Sequence, residues 1–224
     1  RVYVRSTVSL AIVRGLEEYD VPRRTAALLP GAGSGSRLGR GPKAFVQVAG
    51  ATLLERAART LQEFVDEVIV AVPAAAVEEA QRLVPFARVL AGGGDRQETV
   101  HRLVAATRAQ LVLVHDVARP FLPGPVVEST LAAAAEAGAS STARSVADSL
   151  LDRELNETVD RSRLVAVQTP QAFSRELLLR AHETARQEGR TATDDAALVR
   201  ALGAPVTLVE GSPWLFKVTV AEDL

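Results

Sequence analysis

Short runs of aliphatic and β-branched residues alternate along this chain with longer segments whose apolar positions recur every three to four residues. The short runs at 26–29, 67–72, 88–90, 111–115, 164–168 and 206–210 predict strands, and 215–220 predicts one more. The longer segments at 53–64, 75–84, 99–108, 125–137, 175–188 and 194–202 predict helices. Asp95 with Glu98, and Thr193 with Asp194, supply helix start signals. The strands are apolar almost throughout rather than alternating, as expected of a sheet covered by helices on both faces. Strand and helix in repetition predict an α/β fold: three layers, with a Rossmann-like, mainly parallel sheet flanked by helices.

One stretch breaks the pattern. Between 148 and 163, eight residues are charged (Asp148, Asp152, Arg153, Glu154, Glu157, Asp160, Arg161, Arg163) and Asn156 interrupts them. Such a segment cannot build a core, so it predicts a protruding β-hairpin arm that turns near Asn156. We divide the chain into residues 1–24, an extension with no readable motif, and 25–224, one domain bearing the arm.

Composition then narrows the chemistry. At 224 residues the chain is long enough for a large core, and its net charge of −1 argues against a broad cationic surface for nucleic acid. There is no cysteine, which excludes disulfides, thiolate metal sites and a thiol nucleophile. Its histidines, His101, His115 and His182, are too scattered to suggest a zinc site; His115 reads as structural and the other two as ordinary helix-face residues. No uncharged apolar run reaches the roughly 18–20 residues of a membrane helix. Residues 6–13 lack a following cleavage site, and Arg23-Arg24 precedes too short an apolar run, so neither reads as an export signal. With no Met in the chain, Arg1 is not expected to be the natural start. Of 26 basic residues only Lys43 and Lys217 are lysine, which raises the question of why a compact ammonium stands at those two places.

The first strand runs into Pro30-Gly31-Ala32-Gly33-Ser34-Gly35-Ser36-Arg37-Leu38-Gly39-Arg40-Gly41-Pro42-Lys43. Nothing larger than Ser stands between 31 and 36, so backbone amides can approach a polyphosphate closely, and Arg37 and Lys43 bring cations to the same loop. In open α/β sheets ligands sit beyond the C-terminal ends of the strands, where this loop begins. The dinucleotide fingerprint fails here because Ser36 or Leu38 stands where Gly or Ala is required. A P-loop fails as well, since Pro42 precedes Lys43 and Ala44 follows it.

The opening loop resembles that of the nucleotidyltransferases which activate sugar and polyol phosphates. Further motifs follow in order: Gly92-Gly93-Gly94-Asp95-Arg96-Gln97-Glu98-Thr99-Val100, Val114-His115-Asp116-Val117-Ala118-Arg119-Pro120, Thr158-Val159-Asp160-Arg161, Gln168-Thr169-Pro170-Gln171-Ala172-Phe173, Thr193-Asp194-Asp195-Ala196 and Lys217-Val218-Thr219. With them the chain resembles the 2-C-methyl-D-erythritol 4-phosphate cytidylyltransferase family of the non-mevalonate isoprenoid pathway. The likeness spans about 25–224. It departs from the pattern at Gly31 and Val117, where Ala is usual, and at the end, where the family adds a helix.

The resemblance implies a reaction in which a phosphomonoester attacks the α-phosphorus of CTP and expels pyrophosphate. Such a nucleophile, with a second pKa of about 6, needs no general base, in keeping with the lack of any Ser/His/Asp or Cys/His arrangement. It implies Arg37 and Lys43 as catalytic stabilisers of the triphosphate. Gly31, Ala32, Gly33, Gly93 and Thr99 would cradle the nucleotide. Arg161, Lys217, Asp116, Thr193, Thr169 and Ser149 would position the polyol phosphate. Two roles stay open for Asp116, ligand of Mg²⁺ or partner of substrate hydroxyls, and Mg²⁺ or another divalent cation is the expected cofactor. The expected partners are CTP, methylerythritol phosphate and a second copy of the chain held through the arm, in the cytoplasm, with no nucleic acid and no membrane. The rival readings are a cytidylyltransferase for another polyol phosphate, such as ribitol 5-phosphate, and a non-catalytic nucleotide sensor. Loss of Arg37 or Lys43 would favour the sensor, and both are present.

Overall fold

The computed structural model describes residues 24–33 and 41–224. Arg37 and nearly all of the 1–24 extension therefore lie outside the described residues.

Seven strands form the central sheet: β1 (Thr25–Pro30), β4 (Glu67–Val72), β5 (Arg88–Ala91), β6 (Leu111–Val114), β7 (Ala139–Ser145), β10 (Val165–Ser174) and β11 (Thr207–Glu210). Their order is β11-β7-β10-β6-β1-β4-β5. Only β10 runs antiparallel to its neighbours, β6 and β7, so the sheet is mainly parallel as expected. Two small hairpins stand apart, β2 (Gln47–Val48) with β3 (Ala51–Thr52), and β8 (Leu150–Asp152) with β9 (Glu157–Val159).

The alternation along β1 shows how the layers assemble. Ala27 and Leu29 pack with α1 (Leu53–Leu61), α2 (Val77–Leu83) and α4 (Gly124–Ala137) on one face. Ala26 and Leu28 pack with α3 (Arg96–Ala106), α5 (Arg175–Gln187) and α6 (Asp195–Ala201) on the other. All four are fully buried, which is why the strand reads as continuously apolar. From β1 the chain builds outward through β4 and β5, then returns to place β6 on the opposite side. That reversal opens a crevice at the C-terminal ends of β1, β5 and β6.

Three sequence expectations change. The strand β7, Ala-Ser-Ser-Thr-Ala-Arg-Ser, has no apolar signature, yet Ser140, Ser141 and Thr142 are fully buried. Their hydroxyls are satisfied: Ser140 donates to Thr130 O (2.7 Å), Thr142 donates to Pro170 O (3.0 Å), and Ser141 accepts from Gln171 (3.1 Å). The segment 215–220 is not a strand. Val218 N bonds Ala118 O at 2.9 Å while its own carbonyl accepts a lysine side chain, so no ladder forms. The helix expected from 99 begins instead at Arg96, capped by Asp95, which accepts from Glu98 N at 2.7 Å.

The hairpin arm is present, turning through Asn156 at φ 53°. It is less uniformly polar than its charges suggest, since Leu151 and Leu155 stand 60% and 68% exposed.

Candidate active site

Pro30, Ala32 and Gly33 from the end of β1 face Gly93, Gly94, Asp95, Arg96 and Thr99 across a cleft of about 380 Å³. Close backbone approach explains the glycines. A Cβ on Gly92 would lie 2.3 Å from Ala32 Cβ, and one on Gly31 would lie 3.2 Å from Ala71 O, to which Gly31 N donates at 2.7 Å. Thr99 accepts from Gly93 N at 3.0 Å and donates to Asp95 O at 2.6 Å, which holds the glycine turn against the start of α3. Ala32, Gly33, Gly93 and Thr99 thus line one cleft, with Gly31 buried beneath it.

The two lysines converge from opposite ends of the chain. Lys43, in a single helical turn after the loop, donates Nζ to Val218 O at 2.8 Å. The preceding residue, Lys217, donates to Asp116 Oδ2 at 2.7 Å. One ammonium is therefore held on the 217–218 segment, and the other reaches from that segment to Asp116, just after β6.

Asp116 lies at the hub. Its second carboxylate oxygen accepts from Arg96 Nε at 3.1 Å, and its backbone N donates to Thr169 Oγ1 at 3.1 Å. Burial favours the neutral acid, but Arg96 and Lys217 outweigh it and hold the carboxyl far below the usual range. Arg96 Nη2 also reaches Asp195 at 2.8 Å, and Asp195 in turn contacts His182 Nε2 at 3.0 Å. Burial opposes the charge on Arg96, yet the two carboxylates raise its pKa above the ordinary guanidinium value.

Thr169 is buried beneath the site, accepting from Asp116 N at 3.1 Å and lying 3.3 Å from His115 Nδ1, so it braces Asp116. Thr193 is exposed beside Asp194, and Asp194, not Thr193, caps α6 by accepting from Ala197 N. Ser149 and Arg161 are exposed on the arm, where Arg161 donates to Ala147 O. His115 is structural as expected: burial pushes its pKa down to about 4, and Nε2 lies 2.9 Å from Arg119 O. His182 is not an ordinary helix-face residue but a buried partner of Asp195.

Arg96 and Asp195 had no assigned role in the sequence. Among 24 arginines nothing in composition singled out Arg96; only its place inside the glycine motif marked it. The paired glutamines of Gln168-Thr169-Pro170-Gln171 are also explained. Gln168 exchanges hydrogen bonds with Ser212, while Gln171 ties Ser141, Asp194 and Ala196 N together.

As a metal ligand Asp116 fits poorly. Each of its carboxylate oxygens already holds a cation, and a divalent ion there would have to compete with Arg96 or Lys217. Among the described residues no group of three or more His, Asp or Glu converges to hold a metal.

The comparisons with known proteins agree with this geometry. A protein of Deinococcus radiodurans described as 2-C-methyl-D-erythritol 4-phosphate cytidylyltransferase is 54% identical over 204 residues, covering 90% of this chain and 87% of that one. The enzyme so named from Thermus thermophilus is 48% identical over 204 residues, covering 89% and 93%. A crystal structure of the Thermus thermophilus enzyme superposes with a TM-score of 0.80 at 42% identity, covering 89% of this chain and 95% of that one. The sequence model of the family matches residues 25–224, the span that carries the cleft, both lysines and the Asp116 hub. The chain belongs to the 2-C-methyl-D-erythritol 4-phosphate cytidylyltransferase family.

Proposed function

We propose that residues 25–224 act as one nucleotidyltransferase domain that transfers CMP from CTP to 2-C-methyl-D-erythritol 4-phosphate, for isoprenoid precursor synthesis. The convergence of Lys43 and Lys217 on one segment beside the glycine cleft carries the reading. The glycine backbone holds the nucleotide, and the tight fit of Gly92 against Ala32 favours a pyrimidine over a purine. A phosphate oxygen of the polyol phosphate bonds the α-phosphorus, and the bond from that phosphorus to the bridging oxygen breaks to release pyrophosphate. No side chain needs to take a proton, because the nucleophile is mostly dianionic near neutrality. Asp116 is saturated by cations and His115 is buried and neutral, so neither is placed as a base. Lys43, together with Arg37, stabilises charge building on the triphosphate, while Lys217, set by Asp116, receives the polyol phosphate. A divalent cation such as Mg²⁺ would be held by the triphosphate oxygens rather than by Asp116, and would supply neutralisation of the phosphate charge.

The test is initial rates of pyrophosphate release with each of the four ribonucleotides against methylerythritol, ribitol and glycerol phosphates. CTP with methylerythritol phosphate should be fastest. A faster reaction with ATP, GTP or ribitol phosphate would overturn the substrate assignment, and no release with any pair would favour a sensor.

The chain works as a homodimer in the cytoplasm, with the arm reaching the partner and delivering Arg161 to the partner's site. Supporting this, Leu151 and Leu155 project from the arm while Val165 and Val167 are exposed where β10 leaves the core. Among the described residues no helix is long and apolar enough to cross a membrane. Mixing inactive Arg161→Ala and Lys43→Ala chains should restore activity in heterodimers. No recovery after verified subunit exchange would mean that each site is built within one chain.

A further inference from the structure

We propose that Arg96 is a positioning residue that fixes Asp116, and through it Lys217, for the polyol phosphate. This rests on the reading of Lys217 as the polyol-phosphate side of the site.

The charged groups form an alternating chain: Lys217, Asp116, Arg96, Asp195 and then His182. Its two ends differ. Asp195 and His182 are each 1% exposed and packed between α5 and α6, whereas the Lys217 side chain is 42% exposed at the ligand face. Arg96 joins the rigid end to the open one. Nε and Nη2 of a single planar guanidinium reach two different carboxylates, 3.1 and 2.8 Å away. A lysine offers one point charge and cannot hold both groups in that fixed relation. Without Arg96, Asp116 loses the cation opposite Lys217 and Asp195 is left with His182, so the carboxylate that orients Lys217 is no longer anchored. Arg96 also lines the nucleotide cleft as the first residue of α3. A direct contact with CTP is thus the competing explanation for any loss of activity.

The two roles separate in a double-mutant cycle with Asp116. Arg96→Gln should raise the KM for methylerythritol phosphate, or lower the corresponding kcat/KM, by ~10-fold or more. Calorimetric CTP binding should change by less than ~3-fold. Arg96→Lys should shift the polyol parameters in the same direction, because charge without the fork does not restore the bridge. In an Asp116→Asn background, Arg96→Gln should add less than ~2-fold, since the residue through which it acts is already compromised. Circular dichroism and melting curves check the fold, and if Arg96→Gln fails to fold the cycle is run with Arg96→Lys. Losses that multiply in the double variant, or a CTP affinity that falls as far as the polyol parameters, would overturn the proposal. Should the wild type prefer another polyol phosphate, the same cycle with that substrate still tests Arg96. In that event the substrate assignment fails while the positioning role is judged separately.

Discussion

Replacing Lys43 with alanine is expected to lower kcat by on the order of 10²–10³, the usual loss when one preorganised transition-state donor is removed. Lys43→Arg should not recover it. The ammonium is seated on Val218 O at 2.8 Å, and a planar guanidinium is wider than the group it would replace. Stability should fall by only about 1 kcal/mol, because the substitution removes a hydrogen bond to a carbonyl and no core packing. Steady-state kinetics of both variants beside their melting curves make the check. Full activity in Lys43→Arg would show that charge alone suffices, and a collapse in melting temperature would assign Lys43 to the fold.

The other large effect is expected at Asp116. Unlike Lys43, it should be costly to both stability and activity. Asp116→Ala leaves Arg96 and Lys217 facing each other without the carboxylate between them, which should cost about 3 kcal/mol. For a chain of this size that is a drop in melting temperature of roughly 10 °C. Turnover of the polyol phosphate should fall with it, because Lys217 loses its only carboxylate partner among the described residues. The effect has a pH signature. Asp116 is held below its ordinary pKa in the folded state, so its contribution is complete above about 3.9 and is lost as pH falls through the folded value. His115, pushed down to about 4, adds a second loss between about 6.5 and 4, where the unfolded chain binds a proton and the folded one does not. Denaturant unfolding from pH 7 down to about 2 should show both proteins losing the His115 component between about 6.5 and 4, and only the wild type losing further stability below about 3.9. Identical acid profiles in the two proteins would remove Asp116 from the charged hub.

Much of the cleft could be read from residue order because its walls are made of local backbone. The loop from Gly31, the motif around Gly93 and Thr99, and the start of α3 at Asp95 are contiguous stretches in which small side chains and a capping carboxylate leave visible marks. Thr169 and Thr193 show where this reading stops. Both stand in recognisable motifs, yet one is buried under Asp116 and the other flanks the residue that caps α6. A motif reports that a position matters, while the neighbours brought in by the fold determine how.

The sequence by itself determined the strand and helix rhythm, the three layers, the arm turning at Asn156 and the close backbone approach where β1 ends. Each is encoded by local periodicity, turn chemistry or steric room. Tertiary structure alone decided the position of β7, whose buried hydroxyls carry no apolar pattern, and the partners of every charge in the hub. Several of those contacts are distant in sequence: 175 residues for Lys43 and Val218, 101 for Asp116 and Lys217, and 99 for Arg96 and Asp195. Hydrophobic spacing records which face of an element is buried, but it holds no information about which charge meets which across the sheet. That pairing follows from the strand order, which brings the end of β6, the start of α3 and the segment after β11 to one crevice.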